Sequence, residues 1–124
     1  NCIPGKLPKD WQQEAEEMMT EELLQLGLLR PADIRKAKPR HHACKKYFPH
    51  GLGHPLGLDV HDVARVSDPI AENWVMTVEP GIYLPEEGFG IRLENDIVVG
   101  ADGPVDLMAD IPVEADDIEA RMSR

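Results

Sequence analysis

The chain has 124 residues, of which 42% are hydrophobic, 29% charged and 5% aromatic, as in one globular domain or part of one. The net charge of −10 argues against nucleic acid as a partner. No apolar run approaches the roughly 20 residues of a membrane span, so we expect no membrane association. Only Cys2 and Cys44 occur, which predicts reduced thiols in a cytoplasmic protein. With so few aromatic residues, we expect a core of Leu, Ile, Val and Met.

The first predicted element is a helix over residues 11–26. Apolar side chains recur there at three- and four-residue steps, Asp10 stands at a capping position, and Gly27 and Pro31 end the pattern. The acidic residues of the helix are expected to form its solvent-facing side, namely Glu14, Glu16, Glu17, Glu21 and Glu22.

The rest of the chain predicts strands and a closing helix. Residues 31–46 show no clear period: PADIRKA could form a helical turn, but we expect a mostly irregular segment. Its basic string RKAKPRHHACKK is expected to be a solvated loop or helix face, and we assign it no function. VMTVEPGIYL, residues 75–84, predicts a strand broken at Pro80-Gly81, and the alternating FGIRLENDIVV, residues 89–99, predicts another. A helix over 113–122 completes an α+β pattern with an antiparallel sheet.

Three histidines lie close together in the glycine-rich stretch YFPHGLGHPLGLDVHD, residues 47–62. The four-residue spacing of His50 and His54 would suit a helical metal pair, but the surrounding glycines and Pro55 exclude a helix and a zincin site. Along an extended segment two such imidazoles lie about 13 Å apart. We therefore expect at most one of His50, His54 and His61 to bind a metal.

Two glutamates on the predicted strands could join that imidazole. Glu79 ends a strand before Pro80, and Glu94 shares a face with Arg92. Each alone is more simply an exposed or ion-paired carboxylate. Together with an imidazole they form a ligand set that suits Mn, Co, Fe or Zn. Two such ions side by side could activate a bridging water, but a site for two ions normally needs more than two carboxylates. The ligand set is therefore incomplete.

The strings PHGLGHPLGLDVHD, TVEPGIYL and GFGIRLENDIVV, in this order and spacing, resemble the pita-bread metallopeptidases. Within them the chain is similar to the Xaa-Pro aminopeptidase (aminopeptidase P) and prolidase branch. The resemblance implies an α+β pita-bread fold, with a curved antiparallel sheet flanked by helices. Residues 1–124 would be the C-terminal half of the catalytic domain, with the first half and the N-terminal domain absent. The missing initiator Met agrees with a fragment or a processed chain.

For the metal centre, the resemblance implies two divalent ions, usually Mn, with Co, Fe or Zn as alternatives. His54 and Glu79 would each bind metal, Glu94 would bridge the two ions, and Arg92 would orient the site. The family's other two ligands are aspartates of its first half, in a motif that this chain lacks. We therefore expect the isolated chain to bind metal weakly and to be inactive.

For the reaction, the resemblance implies hydrolysis of the bond between an N-terminal residue and a following proline. Glu79 would move the proton, His61 would contact the substrate carbonyl in the transition state, and His50 would lie beside the substrate. The implied partners are a peptide with proline at its second position and the missing first half of the same enzyme. Because a half sheet exposes an edge and apolar surface, a homo-oligomer is also expected.

Three other functions stay open at this point. A prolidase would cleave Xaa-Pro dipeptides, and the short loop between His61 and Val75 favours the aminopeptidase over it. A non-catalytic pita-bread module would bind peptide or protein, but the presence of the three histidines and both glutamates argues for an enzyme. A creatinase-like hydrolase is disfavoured because it needs no dinuclear metal ligands of this kind.

Overall fold

The computed structural model describes residues 2–123. Four helices occur in this range: α1 (Pro8–Gln25), α2 (Pro31–Lys36), a 3₁₀ helix (Arg40–Lys46) and α3 (Ala115–Met122). Between the 3₁₀ helix and α3 lie five strands: β1 (Val75–Val78), β2 (Gly81–Leu84), β3 (Phe89–Arg92), β4 (Asn95–Gly100) and β5 (Gly103–Asp106). The described part of the chain therefore has the α+β order that the sequence predicts.

The predicted first helix is confirmed, with a different start. It begins at Pro8, whose missing N–H suits the first helical position, and Leu7 occupies the N-cap without a side-chain hydrogen bond. The predicted capping role of Asp10 is therefore wrong, since Asp10 lies inside the first turn. After the helix, Gly27 has a φ of +74°, the left-handed conformation that commonly ends a helix.

The segment predicted to be mostly irregular forms α2, where PADIRKA suggested a helical turn, and the 3₁₀ helix. Each is too short for a hydrophobic period to be visible in the sequence, but both bury side chains: Ile34 in α2, and Ala43 and Cys44 in the 3₁₀ helix. The 3₁₀ helix packs on α1, where the Thr20 hydroxyl donates a hydrogen bond of 2.8 Å to the main-chain carbonyl of His41. These two short helices are therefore stabilised by tertiary packing, which the local sequence pattern does not show.

The strands form two antiparallel sheets, one of three strands in the order β1-β4-β5 and one of two strands, β2-β3. The single strand predicted over 89–99 is therefore wrong, because it is divided between the two sheets. Val78 pairs with Asn95 before the break, and Gly81 pairs with Arg92 after it, in one continuous register. The pairs β1-β4 and β2-β3 are thus parts of one hairpin that is interrupted between the sheets. The alternation of polar and apolar residues in the sequence does not show such an interruption.

Two elements near the end of the chain also differ from the prediction. The strand β5 was not predicted, because Pro104 interrupts a short run of mixed polarity; proline is tolerated there since β5 is an edge strand of its sheet. The closing helix begins at Ala115 rather than at residue 113, with Glu114 at its N-cap. All of its described side chains remain at least partly exposed.

The core lies between α1, the 3₁₀ helix and the three-stranded sheet. Its fully buried side chains include Leu23, Ile70 and Val99, as expected, but also Phe48 and Cys44. Trp11 and Tyr47 join them, so an exclusively aliphatic core is wrong. Three of the six aromatic residues are thus buried in the core. No helix in the described range is long and apolar enough to cross a membrane.

Candidate functional site

The histidine segment runs beside β1 as an extended strip. The Thr77 N–H donates to the His54 carbonyl at 2.9 Å, and the Glu79 N–H donates to the Leu52 carbonyl at 2.7 Å. Gly53 lies between these contacts, and a Cβ there would collide with the carbonyl oxygen of Thr77. Glycine therefore lets the two backbones meet, and this contact places His54 next to Glu79.

Helix α1 fixes the start of the same segment through Gln12. The Gln12 amide oxygen accepts a hydrogen bond of 2.6 Å from the Leu52 N–H, and its amide nitrogen lies 3.5 Å from the His50 carbonyl oxygen. The helix thus anchors the backbone that carries the histidines. The sequence analysis missed Gln12, because its partners lie far along the chain.

His54 and Glu79 are the two predicted ligands that the structure brings together. Nε2 of His54 lies 3.3 Å from Oε1 of Glu79. The other ring nitrogen, Nδ1, lies 2.9 Å from the carbonyl oxygen of Pro55, and a carbonyl can only accept. Nδ1 therefore carries a proton, and in the neutral ring Nε2 presents its lone pair to the carboxylate.

Thr77 holds both of these residues and was missed by the sequence analysis. Its buried hydroxyl oxygen accepts a hydrogen bond of 3.0 Å from the His54 N–H and donates one of 3.2 Å to Oε1 of Glu79. Thr77 precedes Glu79 by two residues, so both side chains lie on one face of the strand. That spacing is the signal that could have identified it.

Arg92 connects Glu79 to Glu94. Its Nη1 atom lies 3.3 Å from Oε2 of Glu79, and its Nε atom lies 3.9 Å from Oε2 of Glu94. The register of the hairpin places Glu94 directly opposite Glu79 at the break between the sheets. Within residues 2–123, however, His54, Glu79 and Glu94 do not form a group whose ligand atoms all lie within 4.8 Å of one another.

His61 and His50 occupy different surroundings. The His61 ring lies 4.0 Å from the His54 ring, centroid to centroid, which places it at the same site. His50 instead faces Tyr83, whose hydroxyl lies 2.9 Å from His50 Nε2, and its Nδ1 lies 2.7 Å from the Gly51 carbonyl oxygen. Of the predicted residues, His54, His61, Arg92 and Glu94 thus lie around Glu79. His50 is held separately by Tyr83, a partner that the sequence analysis missed.

The donors at the centre of this group fit one divalent cation. With bonds of about 2.0 to 2.2 Å, two adjacent ligand atoms of a tetrahedral ion lie roughly 3.3 Å apart. The separation of 3.3 Å between His54 Nε2 and Glu79 Oε1 agrees with this value. A lone pair facing a carboxylate is unfavourable without a cation or proton between them, so the pair is suited to a metal.

The sequence model of metallopeptidase family M24 matches residues 1–101. The chain belongs to this family. It is 39% identical over 134 residues to Xaa-Pro aminopeptidase 3 of Rattus norvegicus, a match that covers 99% of this chain and 26% of that protein. Family membership confirms the resemblance noted in the sequence and implies a divalent metal ion as cofactor.

Two solved structures of this metallopeptidase family confirm the pita-bread fold. Proline aminopeptidase P II from Yersinia pestis superposes with a TM-score of 0.80 at 34% identity, covering 98% of this chain and 30% of that one. Zinc-substituted E. coli aminopeptidase P in complex with product gives a TM-score of 0.79 at 35% identity, covering 97% and 30%. The chain therefore spans about 30% of each of these two enzymes.

Proposed function

We propose that this chain contributes part of the active site of a metal-dependent Xaa-Pro aminopeptidase. The observation that carries the proposal is the position of Glu79, which lies within 3.3 Å of His54, Thr77 and Arg92 at the break of the hairpin. An imidazole, a hydroxyl and a guanidinium thus hold one carboxylate in place. The similarity to Xaa-Pro aminopeptidase 3 supports this choice over a dipeptidase or a binding module.

His54 and Glu79 would hold one divalent ion, and Glu94, opposite Glu79, would extend the site to a second. We propose manganese as the usual metal, with Co, Fe or Zn as substitutes; the E. coli relative solved in a zinc-substituted form supports a site of this class. When bound, the ions would supply Lewis-acid activation of the substrate carbonyl and of water.

The residues of this chain would orient the substrate and move protons. The Glu79 carboxylate would carry a proton from the attacking water to the nitrogen of the departing proline. His61, beside the His54 ring, would donate a hydrogen bond to the oxygen on which negative charge develops. His50, held by Tyr83, would border the bound peptide. Because the imide nitrogen of proline has no hydrogen to donate, its ring would be selected by shape.

We propose that the remaining ligands come from a first half of the catalytic domain that packs on this chain. An apolar groove supports this, because its lining includes Pro80 and Leu93, the chain neighbours of Glu79 and Glu94, and it is largely uncovered. Leu93, between the two sheets, is 51% exposed, and Ile91 on β3 is 64% exposed. The lining of the groove is almost entirely apolar, with Met19, Leu26, Leu28, Pro80, Ile82, Leu84, Phe89, Ile91 and Leu93. In the isolated chain, this surface would favour self-association, measurable by light scattering.

The test is an assay of the full-length parent with Mn²⁺ and a peptide that has proline at its second position. We expect release of the N-terminal residue, and loss of this activity in Glu79→Gln. Glu86→Gln, an exposed glutamate beyond β2, is the matched control and should retain full activity. A metal-loaded parent that releases nothing would refute the proposal, and cleavage of Xaa-Pro dipeptides alone would identify a dipeptidase.

For the isolated chain we propose weak metal binding and no peptidase activity, since only part of the ligand set is present. Calorimetry with Mn²⁺ would measure this directly. Tight binding of two ions per chain would contradict the proposal that further ligands are needed.

We also propose a cytoplasmic location, as expected for reduced thiols. Cys2 and Cys44 are both free and buried, and burial raises the pKa of each thiol, so neither is poised for disulfide exchange. Fractionation of cells that express the parent would test the location, and recovery in an organelle would overturn it.

A further inference from the structure

A second group of metal-binding side chains lies where α1 meets the 3₁₀ helix. Glu16 on α1 faces His41 and His42 on the 3₁₀ helix, and their ligand atoms all lie within 4.8 Å of one another. It is the one group of this kind within residues 2–123. The expectation that Glu16 faces solvent is therefore wrong, since its side chain is only 4% exposed.

The distances in this group suit a single ion. Oε2 of Glu16 lies 3.6 Å from Nε2 of His41 and 3.6 Å from Nε2 of His42. The ligand atoms of a tetrahedral zinc site with bonds of about 2.0 to 2.1 Å lie roughly 3.3 Å apart. Small rotations of the imidazoles would therefore bring all three atoms to bonding distance.

Neighbouring groups orient the Glu16 carboxylate for this role. Oε1 accepts a hydrogen bond of 2.9 Å from the Gln12 amide and pairs with the Lys45 ammonium at 2.5 Å. Oε2 is thereby turned toward the imidazoles. Burial tends to raise the pKa of Glu16, but the hydrogen bonds from Lys45 and Gln12 outweigh it and leave the pKa below its ordinary value. The carboxylate is therefore ionised at neutral pH.

The two histidines are also placed as ligands would be. The backbone of His41 is fixed by the hydrogen bond from Thr20. Nδ1 of the His41 ring lies 3.9 Å from a carboxylate oxygen of Glu17, beyond hydrogen-bond distance. A metal-bound histidine usually donates its other ring N–H to a carboxylate, and a small movement of the Glu17 side chain would provide this bond. His42 is 46% exposed, so an ion could reach the group from solvent.

We propose that Glu16, His41 and His42 bind one zinc ion, with water in the fourth position. Two imidazoles and one carboxylate form a known zinc ligand set, and nitrogen donors disfavour Mg²⁺ and Ca²⁺. The ion would link α1 to the 3₁₀ helix and so stabilise the contact that anchors the histidine segment. The proposal does not depend on the peptidase site, since it uses none of its residues.

The test uses the full chain with His54→Gln, Glu79→Gln and Glu94→Gln, which removes the ligands that this chain would supply to the other site. Calorimetric titration with Zn²⁺ should give one binding event per chain, and thermal unfolding should shift upward with added Zn²⁺. Adding His42→Gln or Glu16→Gln should weaken binding at least about tenfold and abolish the shift. Glu21→Gln, an exposed glutamate on the same helix, is the matched control and should leave both unchanged.

Histidine side-chain nitrogen resonances provide a readout that needs no substitution in this group. Zn²⁺ should move the Nε2 resonances of His41 and His42, and this holds even if a variant fails to fold. Equal zinc affinity with and without His42→Gln, or zinc-dependent changes confined to other histidines, would overturn the proposal. In that case the group would be an ion-paired contact between two helices.

Discussion

Glu79 and Glu94 stand directly opposite each other in one antiparallel register, at the break between the two sheets. Like charges in this position destabilise a sheet. Arg92 lies close to both carboxylates, at 3.3 Å from Glu79 and 3.9 Å from Glu94, and compensates their charge. The hairpin therefore places two carboxylates close together, and the paired strands on either side hold their backbone in position. Such an arrangement favours the binding of a cation.

Replacing Arg92 by Gln should lower kcat/KM of the parent enzyme about 10- to 100-fold, because the two carboxylates lose the group that orients them. Arg92→Lys should recover only part of the activity, since an ammonium lacks the planar fork of a guanidinium. Arg65→Gln, an exposed arginine in the loop before β1, serves as the control. Unchanged kcat/KM in Arg92→Gln would mean that Arg92 has no part in positioning Glu79.

Replacing Thr77 by Val keeps the shape of the side chain but removes its hydroxyl. The His54 N–H then loses its acceptor at 3.0 Å, and Glu79 loses its donor at 3.2 Å. We expect a loss of about 1 to 3 kcal/mol in the free energy of unfolding, measured by urea titration of the chain, because a buried donor is left without a partner. Thr77→Ser retains the hydroxyl and should lose less; no loss in Thr77→Val would contradict a stabilising role for the hydroxyl.

The candidate residues around Glu79 could be chosen from the sequence, whereas the contacts that hold their side chains in place could not. The end of β1 and the turn at Pro80 are local features, so the position of Glu79 could be predicted, whereas Glu94, predicted within one long strand, lies between β3 and β4. The division of the second strand could not be predicted, because alternation does not show which strand a residue pairs with. Thr77 and His54 are 23 residues apart, and only packing of the histidine segment on β1 brings them together.

The group formed by Glu16, His41 and His42 illustrates the same limit. The glutamate resembles its exposed neighbours in the helical pattern, and the histidines lie in a basic segment without a period. They meet because the 3₁₀ helix packs on α1, a contact that depends on buried side chains far apart in the chain. Short-range patterns predict elements, whereas the meeting of two elements depends on the whole core.

The ionised Glu16 should make stability depend on pH in acid. Its pKa in the folded chain is lower than its ordinary value of 4.5, so its contribution to stability is complete above that value. The contribution is lost as the pH falls through the lower pKa of the folded state. Urea titrations from pH 6 down to about pH 3 should show a shallower decline for Glu16→Gln than for the unsubstituted chain. Glu21→Gln should retain the original slope, and an equal slope in Glu16→Gln would contradict the assignment.

Gly53 should tolerate no side chain, because a Cβ would collide with the Thr77 carbonyl oxygen, a backbone atom that cannot move aside without disturbing β1. We expect Gly53→Ala to lower the free energy of unfolding by about 1 to 3 kcal/mol and to displace His54 from Glu79. Gly51→Ala is the matched control in the same segment, since its Cβ would meet only the Gln12 side chain at 3.8 Å, an ordinary contact. Urea titration and the Mn²⁺ dependence of peptidase activity would be measured for both variants in the parent. If Gly53→Ala matched Gly51→Ala in both measurements, the close approach of the histidine segment to β1 would not be what places His54.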